Sequence, residues 1–536
     1  MAEHSGTRAG FRGRFLAATA TMAAVMLALA GCGGVPPASA PEALNVVHAA
    51  NVSTKGAGWL HTDGGTIRDA ANKPYVIRAA NWFGLETPDC VPHGLWTINL
   101  NDGLRQIKSM GFNTIRLPYS NQCITTGKVS SDTNFYANPE LAKKTPQQVM
   151  DLFIAKSKAL GLNVILDRHR PSSAAQSELW YTPQYSEAQW IADWKKLATR
   201  YKNEPTVIGF DLHNEPHGVA RWGGSNPAHD WHAAATRAGK AVQTVNSKLL
   251  IIVEGVEAQG NGSWTWWGGG LADVAKKPVK LTVPNQVVYS PHDYPASVYP
   301  QKWFSASNYP ANLPGIWDAN WGYIAKNGIA PVLVGEFGSK LETTSDKQWM
   351  GKLVSYLAAN GTSFAYWSFN PNSSDTGGLL KSDWRTPETA KLAALKPILR
   401  PVAVPTPTQS AAPAPTSKPA PAPTPSKTAT PVPGTGSSAV AAKWSLQSSW
   451  NGGYVAQISV SASRAVNSWS VTFTDPNVIS VANSWGMKCT SVTRKSVTCV
   501  GSDWTKTLRK GQTATVGLQV NAPKPPVKPV VTVSAK

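Results

Sequence analysis

Acidic residues are scarce in this 536-residue chain: 31 Asp and Glu stand against 51 Lys and Arg, and charged residues are only 15% of the whole. A formal net charge of +20 would suit a nucleic-acid partner. Yet the basic residues are scattered, no long Lys/Arg run occurs, and no nucleic-acid motif accompanies them, which argues against that class. Cysteine is also rare: Cys32, Cys90, Cys123, Cys489 and Cys499 are all there are. None stands with His at metal-ligand spacing, so neither a metal nor another cofactor is expected. Wholesale disorder is excluded by 42% hydrophobic residues. What the chain does have is tryptophan, 22 residues against 14 Tyr and 12 Phe. Trp fills cores, and its flat face also stacks on the apolar faces of pyranose rings.

The N-terminus reads as a targeting segment. Arg8, Arg12 and Arg14 precede an apolar stretch over 15–30, the n-region and h-region of a signal peptide. That stretch is too short and too rich in small residues for a convincing membrane span. It ends in Leu29-Ala30-Gly31-Cys32, similar to the lipobox of bacterial lipoproteins, in which the Cys is lipidated and begins the mature chain. Residues 1–31 are then the leader. Cleavage after Ala38-Ser39-Ala40 is the rival and a retained anchor the third outcome; lipidation is preferred because the lipobox abuts the h-region. With Cys32 set aside, two cysteine pairs remain, one in each later domain. That fits an oxidising compartment, with the protein secreted or held by its lipid on the outer face of the cell membrane.

The length calls for two or more domains. A stretch rich in Pro, Thr and Ala over 401–438 cannot bury a core and reads as a semi-rigid spacer between residues 45–400 and 439–536. The larger part shows eight apolar, β-branched runs, at 75–83, 113–119, 163–169, 207–215, 249–256, 286–294, 330–337 and 364–370. Most are unbroken, as for parallel strands covered on both sides. Helical spacing separates several of them, as at 187–201 and 230–245. The expectation is an α/β fold, a (β/α)8 TIM barrel, followed by a small antiparallel β-sandwich. Nearly every run ends in polar or aromatic residues: Arg116, Asp167 and His169, Asn214 and Glu215, Glu254, His292 and Tyr294, Glu336, Trp367. In such a barrel these ends share one rim, where active sites form.

Hydrolysis of a glycosidic bond needs two carboxyl groups, and Glu215 and Glu336, each closing an apolar run, are the best pair. A structural ion pair at the barrel mouth is the alternative. Here the sequence resembles glycoside hydrolase family 5, in particular its bacterial endo-β-1,4-glucanases, over about residues 58–399. The resemblance is carried by Asn113-Thr114-Ile115-Arg116-Leu117-Pro118-Tyr119, Ile165-Leu166-Asp167-Arg168-His169-Arg170-Pro171, His213-Asn214-Glu215-Pro216, Tyr289-Ser290-Pro291-His292-Asp293-Tyr294 and the Glu336 strand, with His93-Gly94-Leu95-Trp96 and Asp375-Thr376-Gly377-Gly378.

The resemblance implies that Glu215 is the acid/base and Glu336 the nucleophile of a retaining mechanism, with carboxyls roughly 5–5.5 Å apart. Arg116 would orient Glu336, whose charge would raise the pKa of Glu215. Asn214, His169, His292, Tyr294 and Trp367 would contact substrate or nucleophile. Trp96, Trp266 and Trp267 are candidates for further subsites, or core. Asp167 and Asp211 read as supports, and Glu254 as a support or a subsite contact.

Cys90 and Cys123 follow the first two strands and would sit close enough in a barrel to pair; two free buried thiols are the alternative. The small domain alternates in the β manner and resembles carbohydrate-binding module family 2. Trp450, Trp485 and Trp504 fall at that family's cellulose-stacking places and Trp469 at its core place. Cys489 and Cys499 depart from the family pattern and could close only a local loop. The reading is a monomeric retaining endo-β-1,4-glucanase acting on cellulose or another β-1,4-glucan. Its rivals are a mannanase, xylanase or xyloglucanase of the same fold, and a non-catalytic carbohydrate-binding surface protein.

Overall fold

The eight apolar runs become eight parallel strands. They are β1 (Arg78–Asn81), β2 (Thr114–Ser120), β3 (Asn163–Arg170), β4 (Val207–Asp211), β5 (Leu250–Glu254), β6 (Val287–Ser290), β7 (Leu333–Phe337) and β8 (Ser363–Tyr366). They pair in the order β6-β5-β4-β3-β2-β1-β8-β7. Bridges from Tyr289 to Val332 and from His292 to Glu336 join the two ends, so the sheet closes as a barrel. The computed structural model describes residues 57–400 and 439–535, apart from 128–132, 136, 451, 490–494, 503–504 and 525–528; of 447–450, 483, 485 and 515 it describes the backbone alone. The leader, Cys32, the spacer and Trp504 lie outside the described residues.

Helices cover the barrel, and local sequence starts them. Asn99, Thr145, Ser186, Asp230 and Thr343 each accept a hydrogen bond from the first turn of the helices Leu100–Ser109, Pro146–Ala159, Glu187–Arg200, Trp231–Gln243 and Thr344–Asn360. Such caps satisfy N–H groups that a helix leaves without partners. Among the described residues no helix follows β5. The connection to β6 carries Gly255, Gly260, Gly262, Gly268, Gly269 and Gly270, and folds back on itself through Val256↔Gly270 and Ala258↔Trp264 bridges. The expected eight-fold βα repeat is broken there, because glycine weakens helix and favours turns.

Side chains two apart on a strand share a face, and this sets the barrel's interior. Ala79, Ile165, Ile208, Leu250, Ile252, Val288, Leu333 and Ala365 pack as one apolar layer. A hairpin of His61–Asp63 and Thr66–Arg68 adds Ile67 to it. Two residues further along the strands the same face carries Asn81, Asp167 and Glu254, and Asp211 joins them past a register shift at Ile208, all buried. Polar groups therefore stack directly on the apolar layer at the C-terminal strand ends. Cys90 and Cys123 form a disulfide that ties the segments after β1 and β2.

The C-terminal part is two four-stranded antiparallel sheets. One has the order β9-β10-β15-β12, with β9 (Val440–Trp450), β10 (Gly453–Ala462), β12 (Ser480–Trp485) and β15 (Thr513–Asn521). The other has the order β13-β14-β11-β16, with β11 (Trp469–Thr474), β13 (Met487–Cys489), β14 (Ser496–Gly501) and β16 (Val531–Ala535). Inward residues of both sheets, among them Ile458, Val460, Trp469, Phe473, Val497 and Leu518, form one core. Cys489 and Cys499 face each other across β13 and β14 and are disulfide-bonded.

Candidate active site

The polar layer is organised by one cation. Arg116 is fully buried and its guanidinium reaches four carboxylates: Asp211 from Nε at 2.9 Å, Glu254 from Nη2 at 3.0 Å, and Asp167 and Glu336 from Nη1 at 3.1 and 2.7 Å. It also donates to Asn81 and Asn214 through their side-chain oxygens, at 3.0 and 2.9 Å. Oxygens of Asp167, Asp211 and Glu254 lie within 4.8 Å of one another, a spacing that could hold an ion. The guanidinium already supplies the positive charge there. Its own pKa stands well above the ordinary value, since the four carboxylates outweigh burial.

The two candidate carboxyls reach the mouth by different routes. Glu336 lies within β7, in register with Val334, which packs outward. The β7–β8 ladder shifts register here: Phe364 opposes Val334, but Tyr366 opposes Phe337. The extra residue is a β-bulge, and it re-aims Glu336. A Cβ on Gly335 would collide with Ser290. Glu336 Oε2 accepts from the Tyr294 hydroxyl at 2.6 Å.

Glu215 does not close a strand, as its sequence run implied. Strand β4 stops at Asp211, and Glu215 sits four residues on, with φ +54°. Left-handed backbone is costly for Glu and is held by partners. Its N–H donates to Glu254 Oε2 at 2.7 Å, Gln176 donates to its Oε2 at 2.7 Å, and His292 Nδ1 lies 3.0 Å from its Oε1. Oxygens of Glu215 and Glu336 and a ring nitrogen of His292 all fall within 4.8 Å of one another.

Protonation follows from these contacts. Burial lowers the pKa of His292, but Glu254 and Glu336 and the bond to Glu215 outweigh it, and the imidazole is held well above its ordinary value. Burial raises Glu215, yet the bond to His292 and its charge outweigh that, and the carboxyl is held below its ordinary value. The expected rise of Glu215 is therefore not found: the bond to His292 at 3.0 Å and its charge outweigh burial, and the carboxyl is held down. Glu254 is pushed well up by burial and by Asp211. Burial also moves Asp167 and Asp211 up to about 6, and His169 down to about 4.

A cleft of about 620 Å³ opens onto this cluster. His169, Glu215, Tyr294, Glu336 and Trp367 line it, as do Trp266 and Trp267. His169 Nδ1 sits 2.6 Å from Asp167, and its ring lies parallel to Trp367, with centroids 5.3 Å apart. Trp267 is 43% exposed and stacks on His217 at 3.8 Å beside Glu215. Trp96 is not among the residues lining this cleft; it is half-buried against His93 and Trp384. Asp167, Asp211 and Glu254 all pair with Arg116, and Glu254 also accepts from the Glu215 N–H. Sequence reading missed Gln176, Asn81 and the exposed Tyr299, which also lines the cleft. Gln176 lies in an irregular stretch with no periodicity to mark it; Asn81 ends β1 but lies inside the run at 75–83, so its place at the strand end left no mark.

In the sandwich, Trp469 is buried and donates to the Thr505 carbonyl. Trp450 and Trp485 both belong to the β9-β10-β15-β12 sheet, with only their backbone described.

Residues 69–373 match the cellulase family, glycosyl hydrolase family 5, and residues 440–534 match the cellulose binding domain. An endoglucanase of Paenibacillus polymyxa is 53% identical over 349 residues, covering 64% of this chain and 88% of the relative. The major extracellular endoglucanase of Xanthomonas campestris pv. campestris is 40% identical over 461 residues, covering 84% and 92%. The solved catalytic domain of the latter superposes with a TM-score of 0.60 at 40% identity, over 63% of this chain and 99% of that one. A cellotetraose complex of an endocellulase from Pyrococcus horikoshii gives 0.60 at 38% identity, over 64% and 99%.

Proposed function

The chain belongs to the cellulase family, glycosyl hydrolase family 5, and from that premise we propose a retaining endo-β-1,4-glucanase that holds cellulose through its sandwich. One observation carries the mechanism: the nearest oxygens of Glu215 and Glu336 lie within 4.8 Å. Retaining enzymes place their carboxyls about 5–5.5 Å apart, whereas inverting ones leave roughly 6.5–9.5 Å for a water.

Glu336 is the nucleophile. Arg116 and Tyr294 fix its two oxygens, so attack on the anomeric carbon needs no reorientation. Glu215 is the acid/base. The proton that rests on His292 Nδ1 passes along the 3.0 Å bond to the Glu215 carboxyl, and from there to the leaving oxygen. After the glycosyl–Glu336 ester forms, Glu215 takes a proton from water, the water attacks the anomeric carbon, and Glu336 leaves. Asn214, anchored by Arg116, meets the sugar 2-hydroxyl. Trp367 is the stacking floor, with Trp266 and Trp267 on the side of Glu215.

Trp450, Trp485 and Trp504 stack on cellulose, and tethering through 401–438 raises the local substrate concentration. The protein acts as a monomer outside the cell, in keeping with the relative named as extracellular. Its leader ends at Gly31, and Cys32 carries the lipid.

The test is reducing-sugar release from carboxymethyl cellulose, glucomannan and xylan, with wild type beside Glu336→Gln and Glu215→Gln. Wild type is expected to cut the cellulose derivative best and to release the β-anomer. Glu336→Gln is expected to lose activity by a factor on the order of 10⁴ or more. Preference for another glycan would overturn the substrate, and the α-anomer would overturn the mechanism.

A further inference from the structure

Stacking on cellulose needs no charge, because the polymer is neutral, yet the sandwich is strongly basic. Its described Lys and Arg residues are Lys443, Arg464, Lys488, Lys495, Lys506, Arg509, Lys510 and Lys524, and every one is exposed. Among the described residues of this domain the only carboxylate is Asp475, which is buried and accepts from the Tyr454 hydroxyl at 2.7 Å. No described carboxylate forms an ion pair with any of these cations.

The cations are not evenly spread. Gly511 N–H donates to the Ala462 carbonyl at 2.8 Å, and Val466 bridges to Leu508. These contacts bring the turn carrying Arg464 against the one carrying Arg509 and Lys510. The Trp469 indole reaches back to the Thr505 carbonyl, placing Lys506 at the same end. Ser463 N–H donates to Ala439, so this is also the end where the chain enters the domain. Gly453, next to Trp450, pairs with Asn521 at the other end of the β10–β15 ladder.

We propose that this basic end is a second binding surface, for carboxylate-bearing polysaccharide of the polyuronate type. Four cations on two or three adjoining turns match a chain with one carboxylate per sugar, and among the described residues no acid lies beside them. Val466 and Leu508, the apolar side chains of these turns, are 5% and 2% exposed, so the turns themselves offer no wedge for a lipid bilayer. The exposed Ile479 and Val530 lie at the opposite end, beside Asn521 and Thr474. In mixed material the enzyme would grip neutral glucan by one sheet and an acidic companion polymer by this end.

The experiment uses the full chain and its Arg464→Gln/Arg509→Gln/Lys510→Gln variant on polygalacturonate-coated beads across a salt gradient. Wild type is expected to bind at low salt and to elute by roughly 0.3 M, where screening confines the interaction to under ~6 Å. The variant is expected to elute at about half that concentration, with unchanged retention on crystalline cellulose and unchanged hydrolysis of carboxymethyl cellulose. A Lys506→Gln/Lys510→Gln variant should shift less, in the same direction. Identical elution of wild type and triple variant would overturn the site. Equal retention of wild type by phosphatidylglycerol vesicles or duplex DNA at matched salt would overturn the polysaccharide assignment.

Discussion

At the barrel mouth one guanidinium faces Asp167, Asp211, Glu254 and Glu336 out of contact with solvent, whereas the sandwich exposes its cations and buries its one described acid. The two regions thus use charge for different purposes. Buried charge must be paired and hydrogen-bonded, so each carboxylate at the mouth fixes the position of another group. Exposed charge fixes nothing locally and acts at a distance on whatever approaches. Substitutions should separate the two regimes cleanly.

Arg116→Met should do the most damage. It strands four carboxylates and should cost the barrel roughly 3–5 kcal/mol, read from its denaturant unfolding curve. A loss below about 1 kcal/mol would mean that the cluster is wetter than the geometry implies. Asp293→Asn comes next. Asp293 lies between His292 and Tyr294, accepts from the indoles of Trp317 and Trp349 at 2.9 and 2.7 Å, and is pushed up to about 7 by burial. A raised carboxyl binds a proton in the folded state that the unfolded chain has already released. Its contribution therefore falls as pH rises from about 4 to 7. Asp167 and Asp211, up at about 6, act in the same direction, and His169, down at about 4, acts in the opposite one. Removing Asp293 should flatten the decline of melting temperature with pH in that window; an unchanged slope would count against the assignment. The smallest effect is expected at the exposed Lys443, where Lys443→Gln should stay within about 0.5 kcal/mol by the same unfolding assay.

The barrel was legible because buried parallel strands leave unbroken apolar runs, and all eight runs became strands. The rim was legible because polar residues at strand ends must converge once the sheet closes. Three features left no such trace. The bulge at Gly335–Glu336 inserts one residue without altering the apolar pattern. The departure of Glu215 from β4 is hidden because Leu212 carries the apolar pattern past Asp211, where the strand stops. The missing helix after β5 was marked by glycines whose spacing the repeat had obscured. The lowering of Glu215 also leaves no trace, because only the folded chain brings His292 to 3.0 Å from it.

The left-handed backbone at Glu215 also bears on descent. Gly, Asn and Asp adopt that conformation at lower cost than Glu. Replacement by any of them would take away the carboxyl or pull it back from His292, while easing the backbone that carries it. A lineage could therefore lose cutting in a single step, with barrel and sandwich both intact. Position 215 is therefore where a loss of cutting would first be looked for.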